Sequence, residues 1–97
     1  MGIELISHNH DSGDLHYNLG GWQWLRDFAI RNGISINEFA DSNDGQDLSE
    51  ATCLALAVAI ENHQEEYNEV FAGAGYGPAP AEEHARIWRE SSGFEQW

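Results

Sequence analysis

The spacing of Cys53, Leu56, Ile60, His63, Tyr67 and Val70, at intervals of 3, 4, 3, 4 and 3, constrains the fold of this chain more than any other feature. An α-helix returns to one face every 3.6 residues, so the run predicts a single helix over about 48–71 with an apolar stripe interrupted only by His63. Leu54, Val58 and Phe71 widen that stripe, and Glu61, Glu65, Glu66 and Glu69 occupy the other side. Asp47 with Glu50 three residues on predicts a capping box at the start. The glycines and prolines of GAGYGPAP, 73–80, end the helix. A helix this apolar on one side must be covered, and the rest of the chain has to supply the cover.

The remaining segments predict what that cover is. IELISH at 3–8 is β-rich, HDSGD carries turn chemistry, and LHYN at 15–18 resumes alternation, which together read as a hairpin over about 3–18. Trp22, Leu25, Phe28 and Ala29 mark one face of a helix over about 20–32, started near Asn18 and ended by Gly33 in a left-handed cap. Pro80 suits a helix first turn, with Glu82 and Glu83 following and Ile87 and Trp88 inward, over about 80–92. The expectation is an α+β fold: a short N-terminal β-hairpin packed with three α-helices in one domain, 1–97. The tail FEQW either packs back or frays.

Charge comes next. Seventeen acidic residues stand against four arginines and no lysine, a net charge of −13 on 97 residues. Eleven of the acids lie between Arg31 and Arg86 with no basic residue among them. The apolar share, 41%, is too high for a disordered acidic tail. Such a surface repels phosphates, nucleic acid and anionic membranes. No run approaches the ~18 apolar residues of a membrane helix, and MGIELIS lacks the basic region and long apolar stretch of a secretory leader. The chain is read as soluble and cytoplasmic.

Several patterns invite a catalytic or metal reading. His8, His10, Asp11 and His16 gather three imidazoles and a carboxylate within nine residues, and His-x-His on a strand points both rings one way. Asp11 follows His10 at once, out of step with metallo-hydrolase spacing, so a metal-binding module is the furthest this turn goes. The loop DSNDGQDLSEAT fails as a calcium loop, because Gly45 and Thr52 fall where the sixth and twelfth positions do not allow them. Cys53 sits in an apolar run and reads as a small buried hydrophobe. His63 reads as a hydrogen-bonded core or interface histidine. GAGYG has no following lysine and cradles no phosphate. No nucleophile has an evident base, so neither an enzyme nor a cofactor is expected.

The acidic helix side is the remaining constellation. Glu61, Glu65 and Glu69 recur at i, i+4, and like charges so placed cost about a few tenths of a kcal/mol per pair. Negative charge near a helix C-terminus also opposes the dipole. Glu61, Glu65, Glu66 and Glu69, with Asp41, Asp44 and Asp47 as a second cluster, are the candidate contacts for a basic partner. Tyr17-Asn18, Gly21-Trp22, Asn43-Asp44-Gly45-Gln46, Leu48-Ser49, Ala59-Ile60-Glu61 and Ser92-Gly93-Phe94 together make the chain resemble a group of small bacterial and phage proteins. That resemblance implies a bacterial or phage origin and an α+β domain, and brings no functional residue with it. The expected function is a non-enzymatic inhibitor occupying the basic, nucleic-acid-binding surface of a partner protein, as anti-CRISPR and anti-restriction proteins do. An immunity protein against a basic toxin is the alternative, and a metal module on the histidine turn a third. Trp24 or Trp97 offers a homodimer contact.

Overall fold

A computed structural model describes residues 2–39, 46–73 and 79–97. Its elements run β1 (Gly2–Ser7), β2 (Leu15–Asn18), α1 (Leu19–Arg31), β3 (Asp47–Leu48), α2 (Glu50–Asn62), α3 (Gln64–Phe71), α4 (Pro80–Glu90) and β4 (Phe94–Gln96). The four strands form one antiparallel sheet in the order β2-β1-β4-β3. The α+β class is therefore as the sequence predicts.

Strand alternation fixes which side of the sheet is covered. Ile3, Leu5, Leu15, Tyr17, Leu48 and Phe94 point to the helices and are buried, whereas Glu4, His16 and Asp47 point away and are exposed. The hairpin pairs Ile3 with Tyr17 and Leu5 with Leu15, which puts four apolar side chains on one face. Trp22, Leu25, Phe28 and Ala29 of α1 join them, all four buried as their spacing requires. Asn18 caps α1 by accepting the Gly21 amide at 2.7 Å. At the other end Gly33, at φ +75°, donates to the Ile30 carbonyl, and Ile34 donates to Ala29. This is the left-handed closure that only a residue without Cβ adopts freely.

Three expectations need correction. The helix over 48–71 is two helices, broken at His63 (φ −133°, ψ 42°), so the described residues carry four helices where three are expected. Beyond the break the buried stripe shifts by one residue: Tyr67 and Phe71 are buried, and Val70 is 40% exposed. Beyond the break Tyr67 of α3 meets Tyr17 and His84. Leu54 and Val58 do not widen the stripe of α2; both are exposed, and Ala57 and Ala59 are buried instead.

Asp47 does not cap α2. It lies in β3 opposite Glu95, while Leu48 pairs with Phe94 and is fully buried. Ser49 becomes the cap, accepting the Thr52 amide, and is itself held by Glu38 at 2.6 Å from the Ser49 amide. The tail packs back: 94–96 form β4 between β1 and β3, so the sheet has four strands where only a hairpin is legible. The turn into it is tight. Ser92 (φ +61°) and Gly93 (φ +110°) are both left-handed, and Ser91 Oγ accepts the Gly93 amide at 3.1 Å.

Candidate functional surfaces

The break at His63 separates the four helix glutamates. Glu61 ends up on α2 and Glu65, Glu66 and Glu69 on α3, so the i, i+4 series does not run along one rigid face. Glu61 is paired with Arg89 of α4, and Glu66 with Arg31 of α1 at 3.0 Å. Both pairs join one helix to another, which gives these two acids a part in positioning elements. Glu65 and Glu69 are exposed, and no ion pair or hydrogen bond among the described residues engages them. With Asn62, His63, Gln64 and Glu66 they line an open hollow of about 390 Å³.

Of the second cluster, Asp47 is exposed at the sheet edge, and Asp41 and Asp44 lie outside the described residues. Arg86 bridges Glu83 (2.5 Å) and Glu90 (3.3 Å) along α4. The bonded Arg86 guanidinium holds the Glu83 carboxyl below its usual value, and Glu83 in turn raises Arg86.

The histidine turn is dispersed. His8 sits against the Ser92 carbonyl (3.3 Å) and 3.6 Å from Asp47, whereas His16 pairs with Glu4 at 2.8 Å across β1 and β2. His10 and Asp11 are exposed on the turn itself. Asn9 and Ser7 organise that turn: Ser7 Oγ bonds Ser12 Oγ at 2.6 Å, and Asp14 accepts the Ser7 amide at 2.8 Å. Among the described residues no three histidine, cysteine, aspartate or glutamate side chains gather as a metal site, so His8, His10, Asp11 and His16 are not assembled into one. The turn's polarity is spent on backbone, as short Ser, Asn and Asp side chains favour.

The core histidine is not His63. His63 is exposed at the helix break, edge-on to Phe28 at 5.9 Å. The buried one is His84, 3% exposed, whose Nδ1 lies 2.5 Å from Tyr67 Oη. Tyr67 Oη is 2.7 Å from Tyr17 Oη, and Trp88 Nε1 donates to Tyr17 Oη at 3.0 Å. Indole N–H can only donate, so Trp88 feeds a buried run of Tyr17, Tyr67 and His84 whose remaining proton directions follow the His84 tautomer. Burial disfavours the imidazolium and brings His84 down to about 4, against a smaller opposing pull from Glu83. The ring is neutral, and its bond to Tyr67, which in turn bonds Tyr17, ties α4, α3 and β2 together. Its sequence signal is the i, i+4 pairing of His84 with Trp88 on the buried face of α4, which names a core position without revealing its partners.

Cys53 is buried, and burial raises its thiol to about 12, with Ser91 bonding it from across the core. That environment suppresses the thiolate, so Cys53 acts as packing. Trp24 is half-buried and stacks on Phe28 at 5.0 Å, with Arg31 over both rings at 5.8 Å; Trp97 is 50% exposed. No helix among the described residues is long and apolar enough to cross a membrane.

Comparison with protein-family models, with curated proteins and with solved structures returned no match to this chain.

Proposed function

We propose that the protein is a non-enzymatic acidic binder that occupies a basic surface of a partner protein, of the kind that otherwise grips nucleic acid. One observation carries the reading. Arg31, Arg86 and Arg89 are held in ion pairs with the protein's own glutamates, while Glu65, Glu69 and Asp47 stay exposed on ordered elements. These three positive charges are paired at the surface with the protein's own carboxylates, and the net field that reaches a partner is negative. Carboxylates fixed on helix and strand stand in for phosphates against a lysine- and arginine-lined groove, giving fast, salt-sensitive association. Phage counter-defence proteins and toxin-immunity proteins both fit this class and differ in the source of the partner.

The test is titration of an arginine-rich, nucleic-acid-binding peptide into the protein at about 50 and about 200 mM salt, where screening lengths differ roughly twofold. Affinity should fall steeply at the higher salt, and duplex DNA should compete. Binding indifferent to salt, or unaffected by DNA, overturns the reading.

A further inference from the structure

The outer side of the sheet extends this reading to a particular surface. Glu4 and Ile6 of β1, His16 of β2, Asp47 of β3 and Glu95 of β4 alternate away from the helices, and no described element covers them. Trp97 continues the phase of β4. Its amide donates to the Glu4 carbonyl at 2.7 Å and its indole Nε1 to Glu95 Oε1 at 3.3 Å, yet half of the residue stays exposed. The face is thus an indole beside half-buried Ile6, bordered by the Glu4, Glu95 and Asp47 carboxylates.

Two details do not suit a merely solvated face. Asp47 and Glu95 are direct cross-strand partners, and like charges so placed destabilise a sheet; the neighbours they have, His8 at 3.6 Å from Asp47 and the Trp97 indole N–H on Glu95, are an imidazole and a neutral donor. A half-exposed tryptophan bonds Glu95 and stands outside the buried core. Both become favourable once a cation lies between them. Guanidinium stacks on an indole face while its fork of N–H groups bonds carboxylates side-on, a combination that ammonium matches poorly.

We infer that the open face of the sheet is the docking surface for an arginine-bearing segment of the protein partner, its guanidinium resting on Trp97 and pairing with Glu95 and Asp47. This rests on the acidic-binder reading and names the surface that carries it. A second copy of this chain is the wrong occupant, because each copy bears a net charge of −13 and Arg31, Arg86 and Arg89 are already engaged. Nucleic acid and anionic lipid are repelled by the same charge.

The experiment is ¹⁵N-detected titration of the whole chain with hexa-arginine and, separately, hexa-lysine at low salt. The expected result is shifts at the Trp97 indole N–H and at the amides of Glu4, Ile6, Asp47 and Glu95, with the arginine peptide bound about threefold more tightly. Trp97→Ala should weaken hexa-arginine by about threefold or more and remove its advantage, Trp97→Phe should restore part of it, and Glu95→Gln should weaken both peptides. Glu65→Gln with Glu69→Gln should leave the sheet shifts in place. Shifts confined to α3, or a Trp97→Ala protein that still prefers arginine, overturn this inference and leave the acidic-binder reading standing. Failure of both peptides to bind at low salt overturns both readings. Trp97, Glu65 and Glu69 are exposed and Glu95 is half-buried, and far-ultraviolet circular dichroism verifies that each variant is folded.

Discussion

Replacing His84 by glutamine tests the buried hydrogen-bond chain, because glutamine still offers Tyr67 an acceptor and cannot titrate. In the folded protein His84 takes up its proton near 4 and in the unfolded chain near the ordinary 6.5. The folded-state value is depressed, so unfolded chains bind the proton first as pH falls. The stability that neutral His84 contributes is therefore complete above about 6.5, declines through the interval down to about 4, and is lost below it. A separation of about 2.5 units corresponds to roughly 3 kcal/mol in total, of which about 2 kcal/mol is gone by pH 5. On a domain of this size each kcal/mol is worth about 4–8 °C, so the protein should melt about 8–16 °C lower at pH 5 than at pH 7.5 from this group alone.

Ordinary carboxylates remain mostly ionised over that window, and whatever they contribute is common to both proteins. The relevant quantity is thus the difference in slope between His84→Gln and the parent in urea unfolding at pH 7.5, 6.5, 5.5 and 5. The variant should lose about 2 kcal/mol less than the parent across that range. Protonation makes His84 Nδ1 a donor, so Tyr67 Oη must then accept from it. Equal slopes within about 0.5 kcal/mol, or an imidazole that titrates near 6.5 by NMR, would refute the argument.

Other substitutions give further tests. Tyr67→Phe removes the hydroxyl shared by His84 and Tyr17 and should cost about 1–3 kcal/mol in urea unfolding. Gly93→Ala should cost about 2 kcal/mol or more, because the residue sits at φ +110° and a Cβ would come within 2.7 Å of the Leu48 carbonyl oxygen; an unchanged melting temperature would contradict the turn geometry. Ser49→Ala should lower stability by about 1 kcal/mol, and Asp47→Ala by much less, since Ser49 is the cap. Arg89→Ala, breaking an exposed pair with Glu61, should change stability by no more than about 1 kcal/mol.

Local chemistry alone marks much of this fold. Asn18 as a cap, Gly33 as a left-handed stop, Pro80 in a first turn and the hairpin alternation of 3–7 with 15–17 depend on near neighbours in sequence, and each appears where its chemistry puts it. The acidic surplus, likewise, is a sum over side chains that no packing can alter. Contacts distant in sequence decided the rest. A spacing of 3 and 4 continues through His63 without interruption, and the break there, with Tyr67 set against Tyr17 and His84 beyond it, is visible only in the folded chain. Asp47 carries a capping pattern, but Leu48 finds Phe94 and is drawn into the sheet. Glu61 and Glu66 look like free surface charge until Arg89 and Arg31 arrive from other helices. The open face holding Glu4, Glu95, Asp47 and Trp97 exists only because β4 inserts between β1 and β3. Sequence periodicity states which side of an element is apolar; which element arrives to cover it depends on burial shared between residues far apart in the chain, and that is settled only when the whole domain is packed.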